Sequence, residues 1–120
     1  MQKYTIINIK RLINATGYTF NGLKAAFKNE EAFRLEVALF IILAPIGFWL
    51  GKTGIEKSLL IGVLFIVLIV EILNSAIEAL VDRIGTEYNE LSKRAKDMGS
   101  AAVFLSLCLA VIVWGIIICF

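Results

Sequence analysis

The sequence has no histidine and only two cysteines among its 120 residues. The absence of histidine excludes an imidazole base and a histidine-based metal site. Cys108 and Cys119 lie eleven residues apart in the last apolar segment, without metal-ligand spacing and too far apart on one helix to form a disulfide, so we interpret them as packing residues. The net charge is only +2, which gives no sign of the strongly basic surface of a nucleic-acid-binding protein.

Two further features are missing. No cleavable signal peptide is evident, because the N-terminus is charged and amphipathic rather than a basic tip followed by a short apolar core. The stretch 47–53 resembles a phosphate-binding G-x-x-x-x-G-K-T loop, but it has three residues between its glycines instead of four. No β-strand precedes it, so we exclude a soluble P-loop domain.

Apolar residues are abundant instead. They make up 59% of the chain, against ~45–50% in ordinary soluble domains. Three apolar segments, 32–50, 58–79 and 98–119, approach the ~20 residues that a helix needs to cross a bilayer. The first is the weakest, because Arg34 and Glu36 lie in its opening turns and Pro45 in its middle should kink it. We predict an all-α membrane protein that forms one domain over 1–120.

The N-terminal residues 4–28 follow a different pattern. Apolar residues recur at helical spacing, with lysines and asparagines on the flanks, which is typical of an amphipathic helix lying in the headgroup plane. The apolar stripe consists of Ile6, Ile9, Ile13, Phe20, Leu23 and Phe27.

The basic residues predict the topology. Six lie in the chain up to Arg34, four in the polar segment 82–97 and two in the connection 51–57. The N-terminus and the 82–97 loop should therefore both be cytoplasmic. In the third span, small residues repeat at helix-packing intervals, which predicts close association of helices and shelter for polar groups if several copies assemble. These small residues are Gly99, Ala102, Ser106 and Ala110.

A polar stripe at the end of the second span is the strongest functional signal. It follows the run 59–70, which contains no charge, and on a helix its members share one narrow face: Glu71, Asn74, Ser75, Glu78 and Asp82. Carboxylates in such a setting are costly unless they are paired, hydrated or bound to a cation. One interpretation is a solvated or self-paired helix face, with Asp82 beside Arg83. The other is a site for a divalent cation such as Mg²⁺ with a proton acceptor next to it.

The depth of these groups suggests a chemistry. Glu71 lies seven residues deeper than Glu78, about 10 Å along a helix, where a base could reach a hydroxyl of a membrane lipid. Glu78, Lys96 and Asp97 would face the aqueous side, where a nucleotide arrives. Phosphoryl transfer requires these parts: a metal on the phosphates, a neighbouring cation and an acceptor for the hydroxyl proton.

Two other classes remain open. A small ion- or proton-coupled transporter would also carry an intramembrane glutamate, although no polar residue continues from Glu71 through 59–70. A purely structural membrane subunit would need neither metal nor nucleotide.

The motifs themselves resemble a known family. EILNSAIEALVDR at 71–83, EYNE at 87–90 and AKDMGSAAV at 95–103, with further matches within 17–36, resemble the prokaryotic diacylglycerol kinase family over nearly the whole chain. The resemblance implies a homotrimeric inner-membrane enzyme with three transmembrane helices and a surface helix per subunit. It would transfer the γ-phosphate of Mg-ATP to diacylglycerol.

The resemblance also implies roles by position. Glu71 would be the catalytic base and Glu30 and Glu78 would hold Mg²⁺, with Asn74 and Asp82 in support. The nucleotide site would be lined by Arg11, Tyr18, Glu30, Glu78, Glu87, Tyr88, Asn89, Lys96 and Asp97. The lipid would contact Arg11, Ala32, Phe33, Arg34, Leu35, Glu36, Trp49, Glu71, Ser100 and Trp114.

Simpler roles exist for some of these residues: a topology-setting charge for Lys96, a helix boundary for Glu30 and interfacial positions for the tryptophans. The chain departs from several family members at Asn14, Phe20, Phe27 and Asn89. A related branch phosphorylates undecaprenol, but 82–85 and 98–100 look more like the diacylglycerol branch.

Overall fold

The computed structural model describes residues 8–120, which contain four helices and no strand. The part of the predicted surface helix at 4–7, including Ile6, lies outside these residues. The helices are α1 (Ile9–Asn29), α2 (Glu31–Leu50), α3 (Gly54–Ile84) and α4 (Glu90–Cys119). The last three are long and apolar enough to cross a membrane, which agrees with the predicted fold class.

Polar side chains fix where three of the helices begin. The side-chain oxygen of Asn8 accepts from Arg11 N at 3.1 Å, and Thr53 Oγ1 accepts from Glu56 N at 3.1 Å. Asn89 Oδ1 accepts from two backbone amides at the start of α4. Each cap satisfies amide groups that the first turn of a helix leaves without an intrahelical partner.

Helices α3 and α4 extend well beyond the predicted spans. They contain 31 and 30 residues, about 45 Å each at the helical rise, more than the ~30 Å hydrocarbon layer. The segment 82–97, which we expected to be a loop, is helical except for 85–89. Hydropathy marks where a helix leaves the hydrocarbon, whereas caps and turns mark where it ends. Asp82 and Lys96 therefore lie on helix ends.

One face of α3 forms the centre of the molecule, between α2 and α4. Its buried residues recur every three or four positions: Leu60, Val63, Val67, Glu71, Asn74 and Ser75. We refer to 59–70 as the apolar half of α3 and to 71–82 as its polar half. The buried stripe runs through both halves, so the predicted polar stripe continues the packing face of the helix.

The apolar half is held by Trp114 of α4. Its indole Nε1 donates to the carbonyl oxygen of Leu60 at 3.0 Å. The ring lies against Gly47 of α2, where a Cβ atom would be 3.2 Å from both Trp114 Cζ2 and Leu60 Cβ. Three helices therefore meet closely at this point. The indole of Trp114, which the resemblance assigned to the lipid, makes its hydrogen bond within the protomer.

The α1–α2 joint is held by Arg34. Its Nη1 donates to the carbonyl oxygens of Phe27 and Lys28 at 2.8 and 3.0 Å, which lie in the last turn of α1 and need hydrogen-bond donors there. Within α1 the only buried residue is Ala26. The helix is thus attached at its C-terminal end and exposed along the rest of its length.

Candidate functional site

The polar half of α3 changes from buried to exposed along its length. Glu71, Asn74 and Ser75 are 5%, 7% and 8% exposed, whereas Glu78 is half-buried and Asp82 is exposed. The predicted common face is confirmed by this gradient. For Glu71, burial between helices excludes the solvated-face interpretation.

Glu36 of α2 lies beside Glu71. The two carboxyl groups are close enough to interact electrostatically. Glu36 Oε1 is buried and accepts from no donor among residues 8–120. Glu36 therefore places a second carboxyl group beside Glu71 at the buried end of the polar half. The resemblance assigned Glu36 to the lipid and did not indicate this pairing.

A cleft between α1 and α3 brings the two predicted metal ligands together. Its volume is about 470 Å³, and its acidic lining residues are Glu30, Glu78 and Asp82. Small residues form much of its wall: Gly22, Ala25, Ala26, Ala76 and Ala79. Their short side chains leave the space open. Glu71 lies within electrostatic range of both Glu30 and Glu78.

Glu30 and Glu78 could hold Mg²⁺ only if other oxygen ligands complete its coordination shell. Within the described part of the chain, no three acidic, histidine or cysteine residues are close enough to form a metal cage. Magnesium is usually held by one or two carboxylates, with phosphate and water oxygens at its other positions. Glu30 and Glu78 are therefore suited to a metal that arrives with a phosphate group, and unsuited to a permanently enclosed ion.

The predicted nucleotide residues on α4 are engaged in ion pairs. Lys96 Nζ lies 2.9 Å from Asp82 Oδ1 and so connects α4 to α3, while Lys93 Nζ lies 2.7 Å from Asp97 Oδ2. All four side chains are at least 44% exposed, and exposed ion pairs contribute little to stability. A phosphate could therefore displace Asp82 from Lys96 at small cost.

The connection between α3 and α4 is organised by its own side chains. Tyr88 Oη donates to Glu90 Oε1 at 2.9 Å, and this hydrogen bond raises the pKa of Tyr88 above its usual value. Asn89 Oδ1 accepts from Leu91 N and Ser92 N at 2.9 and 3.1 Å. Asn89, one of the departures from the family pattern, thus serves as a helix cap, and its nucleotide contact stays a prediction.

The other predicted contacts do not line the cleft between α1 and α3. Phe33 is buried in its own protomer, at 4% exposure. The rest are exposed in the single chain: Arg11, Tyr18, Ala32, Leu35, Trp49, Glu87 and Ser100. One protomer therefore assembles the acidic centre of the site and leaves its predicted periphery spread over several surfaces.

Comparison with known proteins identifies the family. The sequence profile of prokaryotic diacylglycerol kinase matches residues 17–118. The chain belongs to the prokaryotic diacylglycerol kinase family. It is 55% identical to the diacylglycerol kinase of Haemophilus influenzae over 117 residues, 98% of this chain and 99% of the relative. It is 55% identical to that of Escherichia coli, over 90% and 88% of the two chains, and 50% identical to that of Pseudomonas aeruginosa, over 92% and 89%.

The family match includes the acidic centre described above. Glu30, Glu71 and Glu78 all lie inside the matched range, whereas Arg11 precedes it. The structure adds contacts that the motifs did not indicate, namely Glu36 with Glu71 and Asp82 with Lys96. For the contact between Glu36 and Glu71, the only signal in the sequence was a charged residue, Glu36, in the opening turns of an apolar segment.

Proposed function

We propose that this protein is a lipid kinase that transfers the γ-phosphate of Mg-ATP to the free hydroxyl of diacylglycerol and forms phosphatidic acid. The observation that carries the proposal is the buried Glu71, located where α3 changes from apolar to polar, with Glu30 and Glu78 in the adjoining cleft. Membership of the family and three relatives named diacylglycerol kinase support the choice of lipid.

Glu71 acts as the general base in this proposal. The hydroxyl oxygen of the lipid forms a bond to the γ-phosphorus, the bond from that phosphorus to the β,γ-bridging oxygen breaks, and the hydroxyl proton passes to a Glu71 oxygen. Burial of Glu71 keeps water from competing with the lipid hydroxyl.

Glu30 and Glu78 hold the metal. Bound there, Mg²⁺ would neutralise charge on the phosphates. Lys96, released from Asp82, would place its ammonium group beside the phosphates, and Asp97 would lie one residue further along the same end of α4. Tyr88, Asn89 and Glu87 belong to the connection next to this end, where the adenosine would contact them.

The proposal includes a homotrimer in the bacterial inner membrane. Its N-terminus and the 82–97 segment would be cytoplasmic, and α1 would lie as an amphipathic helix in the headgroup plane. Two observations support this arrangement: large apolar side chains are exposed on all the helices, and several predicted contacts lie outside the cleft of one protomer. Neighbouring subunits would complete the site.

Transport is disfavoured by the apolar half of α3. Its buried face consists of Leu60, Val63 and Val67, so no polar path continues from Glu71 along this face of α3. An ion carried past Glu71 would meet only hydrocarbon side chains on this face.

The test is phosphate transfer from γ-labelled ATP in mixed micelles that contain Mg²⁺ and either diacylglycerol or undecaprenol. We expect labelled phosphatidic acid with the wild-type protein and none above background with Glu71→Gln. Preferential labelling of undecaprenol would contradict diacylglycerol as the substrate and would remain consistent with the proposed mechanism. Absence of label from both lipids, with folded protein, would contradict the kinase proposal.

A further inference from the structure

Asn74 and Gly99 make an unusually close contact between α3 and α4. A Cβ atom built on Gly99 would lie 2.1 Å from Asn74 Oδ1, 3.2 Å from Asn74 Cγ and 3.8 Å from Asn74 Cβ. These are the three nearest atoms, and the first distance is far below any van der Waals contact. Both residues are buried. The carboxamide of Asn74 thus occupies the space that a side chain at position 99 would need.

The other end of the same carboxamide is directed at a proposed metal ligand. Asn74 Nδ2 donates to Glu78 Oε2 in a long hydrogen bond of 3.5 Å, one helical turn along α3. Asn74 Oδ1 is buried and accepts from no donor in residues 8–120. The two ends of a planar amide move together, so displacing the oxygen from Gly99 also displaces the nitrogen from Glu78.

Other glycines of the spans show that this contact is specific. Gly62 of α3 and Gly115 of α4 have no atom within 4 Å of a built Cβ. Gly47 is also closely packed, but its neighbours are Leu60 and Trp114 in the apolar half. Of these four positions, only Gly99 borders a polar side chain that contacts a residue of the proposed site.

We propose that Gly99 is a positioning residue for Glu78, acting through the carboxamide of Asn74. The inference rests on the proposed role of Glu78 as a metal ligand. By having no side chain, Gly99 lets Asn74 lie flat against α4 and donate an N–H group to one carboxylate oxygen of Glu78. The other oxygen then stays available to the cleft shared with Glu30.

A methyl group at position 99 would therefore weaken metal binding without touching the metal. Partners that orient a ligand typically change metal affinity by about 10–100-fold when they are lost. Because the hydrogen bond to Glu78 is long, we expect the lower end of this range. Gly99→Ala and Asn74→Ala should each weaken metal binding about tenfold.

The experiment measures Mn²⁺ binding by electron paramagnetic resonance, using purified full-length protein in detergent micelles with a non-hydrolysable ATP analogue. Four proteins are compared with the wild type: Gly99→Ala, Asn74→Ala, the double variant and Gly115→Ala as the matched control on the same helix. The double variant should bind Mn²⁺ as Asn74→Ala does, because both changes act through one amide. Gly115→Ala should bind as the wild type does.

Thermal unfolding of the same samples separates positioning from packing. The alanine methyl at position 99 overlaps the Asn74 side chain. In the double variant, Asn74→Ala removes this overlap and should restore much of the stability lost in Gly99→Ala. If Gly99→Ala alone does not fold, weaker Mn²⁺ binding by the double variant than by Asn74→Ala still overturns the inference, because position 99 would then act by a route other than the Asn74 amide.

Two results would overturn the inference alone: wild-type Mn²⁺ affinity in Gly99→Ala, or losses that multiply in the double variant. Failure of the wild-type protein to bind Mn²⁺ with the nucleotide would instead contradict the metal role of Glu78, and the inference would fall with it.

Discussion

The apolar and polar halves of α3 both meet a neighbouring helix at a glycine, but they use the contact differently. In the apolar half, the Trp114 ring lies on Gly47 and its indole nitrogen donates to Leu60 O. In the polar half, the Asn74 carboxamide lies on Gly99 and its oxygen is left without a donor. The same close approach therefore completes the packing at one end and leaves polar atoms free at the other.

The buried polar atoms that lack a hydrogen bond lie at one end of the bundle. Among residues 8–120, the buried side-chain atoms without a hydrogen bond are Glu36 Oε1, Asn74 Oδ1 and Ser75 Oγ. All three belong to the polar half or to the residue facing it. Buried polar atoms are normally satisfied, so these three atoms distinguish this end of the bundle from the apolar half. The apolar half packs the three helices together, and the polar half carries the proposed site.

The largest predicted effect comes from the polar half. Glu71→Gln keeps the size of the side chain and removes the proton acceptor, so turnover should fall by about 10²–10⁴-fold, the usual contribution of general base catalysis. Labelled phosphate transfer under saturating Mg-ATP measures it. Glu56→Gln is the matched control at the opposite end of α3, where Glu56 accepts from Lys52 N at 2.8 Å, and it should leave turnover unchanged. Comparable losses of turnover in Glu71→Gln and Glu56→Gln would contradict a specific role for Glu71.

A substitution in the apolar half should have a smaller effect, and it should lower stability and leave turnover unchanged. Trp114→Phe removes the donor to Leu60 O and part of the ring that covers Gly47. We expect a loss of about 1–3 kcal/mol in unfolding free energy, from one lost hydrogen bond and a small cavity. Turnover per folded molecule should not change. Unfolding in detergent and the transfer assay measure the two quantities separately. A selective loss of lipid affinity at unchanged stability would instead favour the lipid contact that the resemblance assigned to Trp114.

The smallest effect should come from the exposed end of the polar half. Asp82→Asn removes the partner of Lys96, and because both side chains are exposed the pair contributes little to stability. We expect a slight loss of thermal stability at low salt that disappears at high salt, since screening already weakens the pair. Melting curves at two ionic strengths test this. A large loss that is independent of salt would mean that Asp82 has a structural role beyond the ion pair.

Local patterns in the sequence predicted much of this structure. The three apolar helices follow from hydropathy, and the common face of Glu71, Asn74 and Glu78 follows from helical periodicity. These properties depend on one segment at a time. The helix ends were less predictable, because α3 and α4 continue through polar residues at 82–84 and 90–97.

Contacts between helices could not be predicted in the same way. The pairing of Glu36 with Glu71, of Asn74 with Gly99 and of Trp114 with Leu60 depends on the rotation and register of one helix against another. Periodicity within one segment contains no information about either. Residues such as Arg11, Trp49 and Ser100 are exposed in the single chain, so no contact within it tests their predicted roles.

The central claim is that one face of α3 carries a base and a metal ligand as separate parts. The most direct test compares Glu71→Gln with Glu78→Gln in two assays: Mn²⁺ binding with the ATP analogue, and labelled phosphate transfer to diacylglycerol. We predict that Glu71→Gln binds Mn²⁺ as the wild type does but transfers phosphate about 10²–10⁴-fold more slowly, whereas Glu78→Gln loses both Mn²⁺ binding and transfer. Equal loss of Mn²⁺ binding in both variants, or transfer at the wild-type rate by Glu71→Gln, would contradict the account.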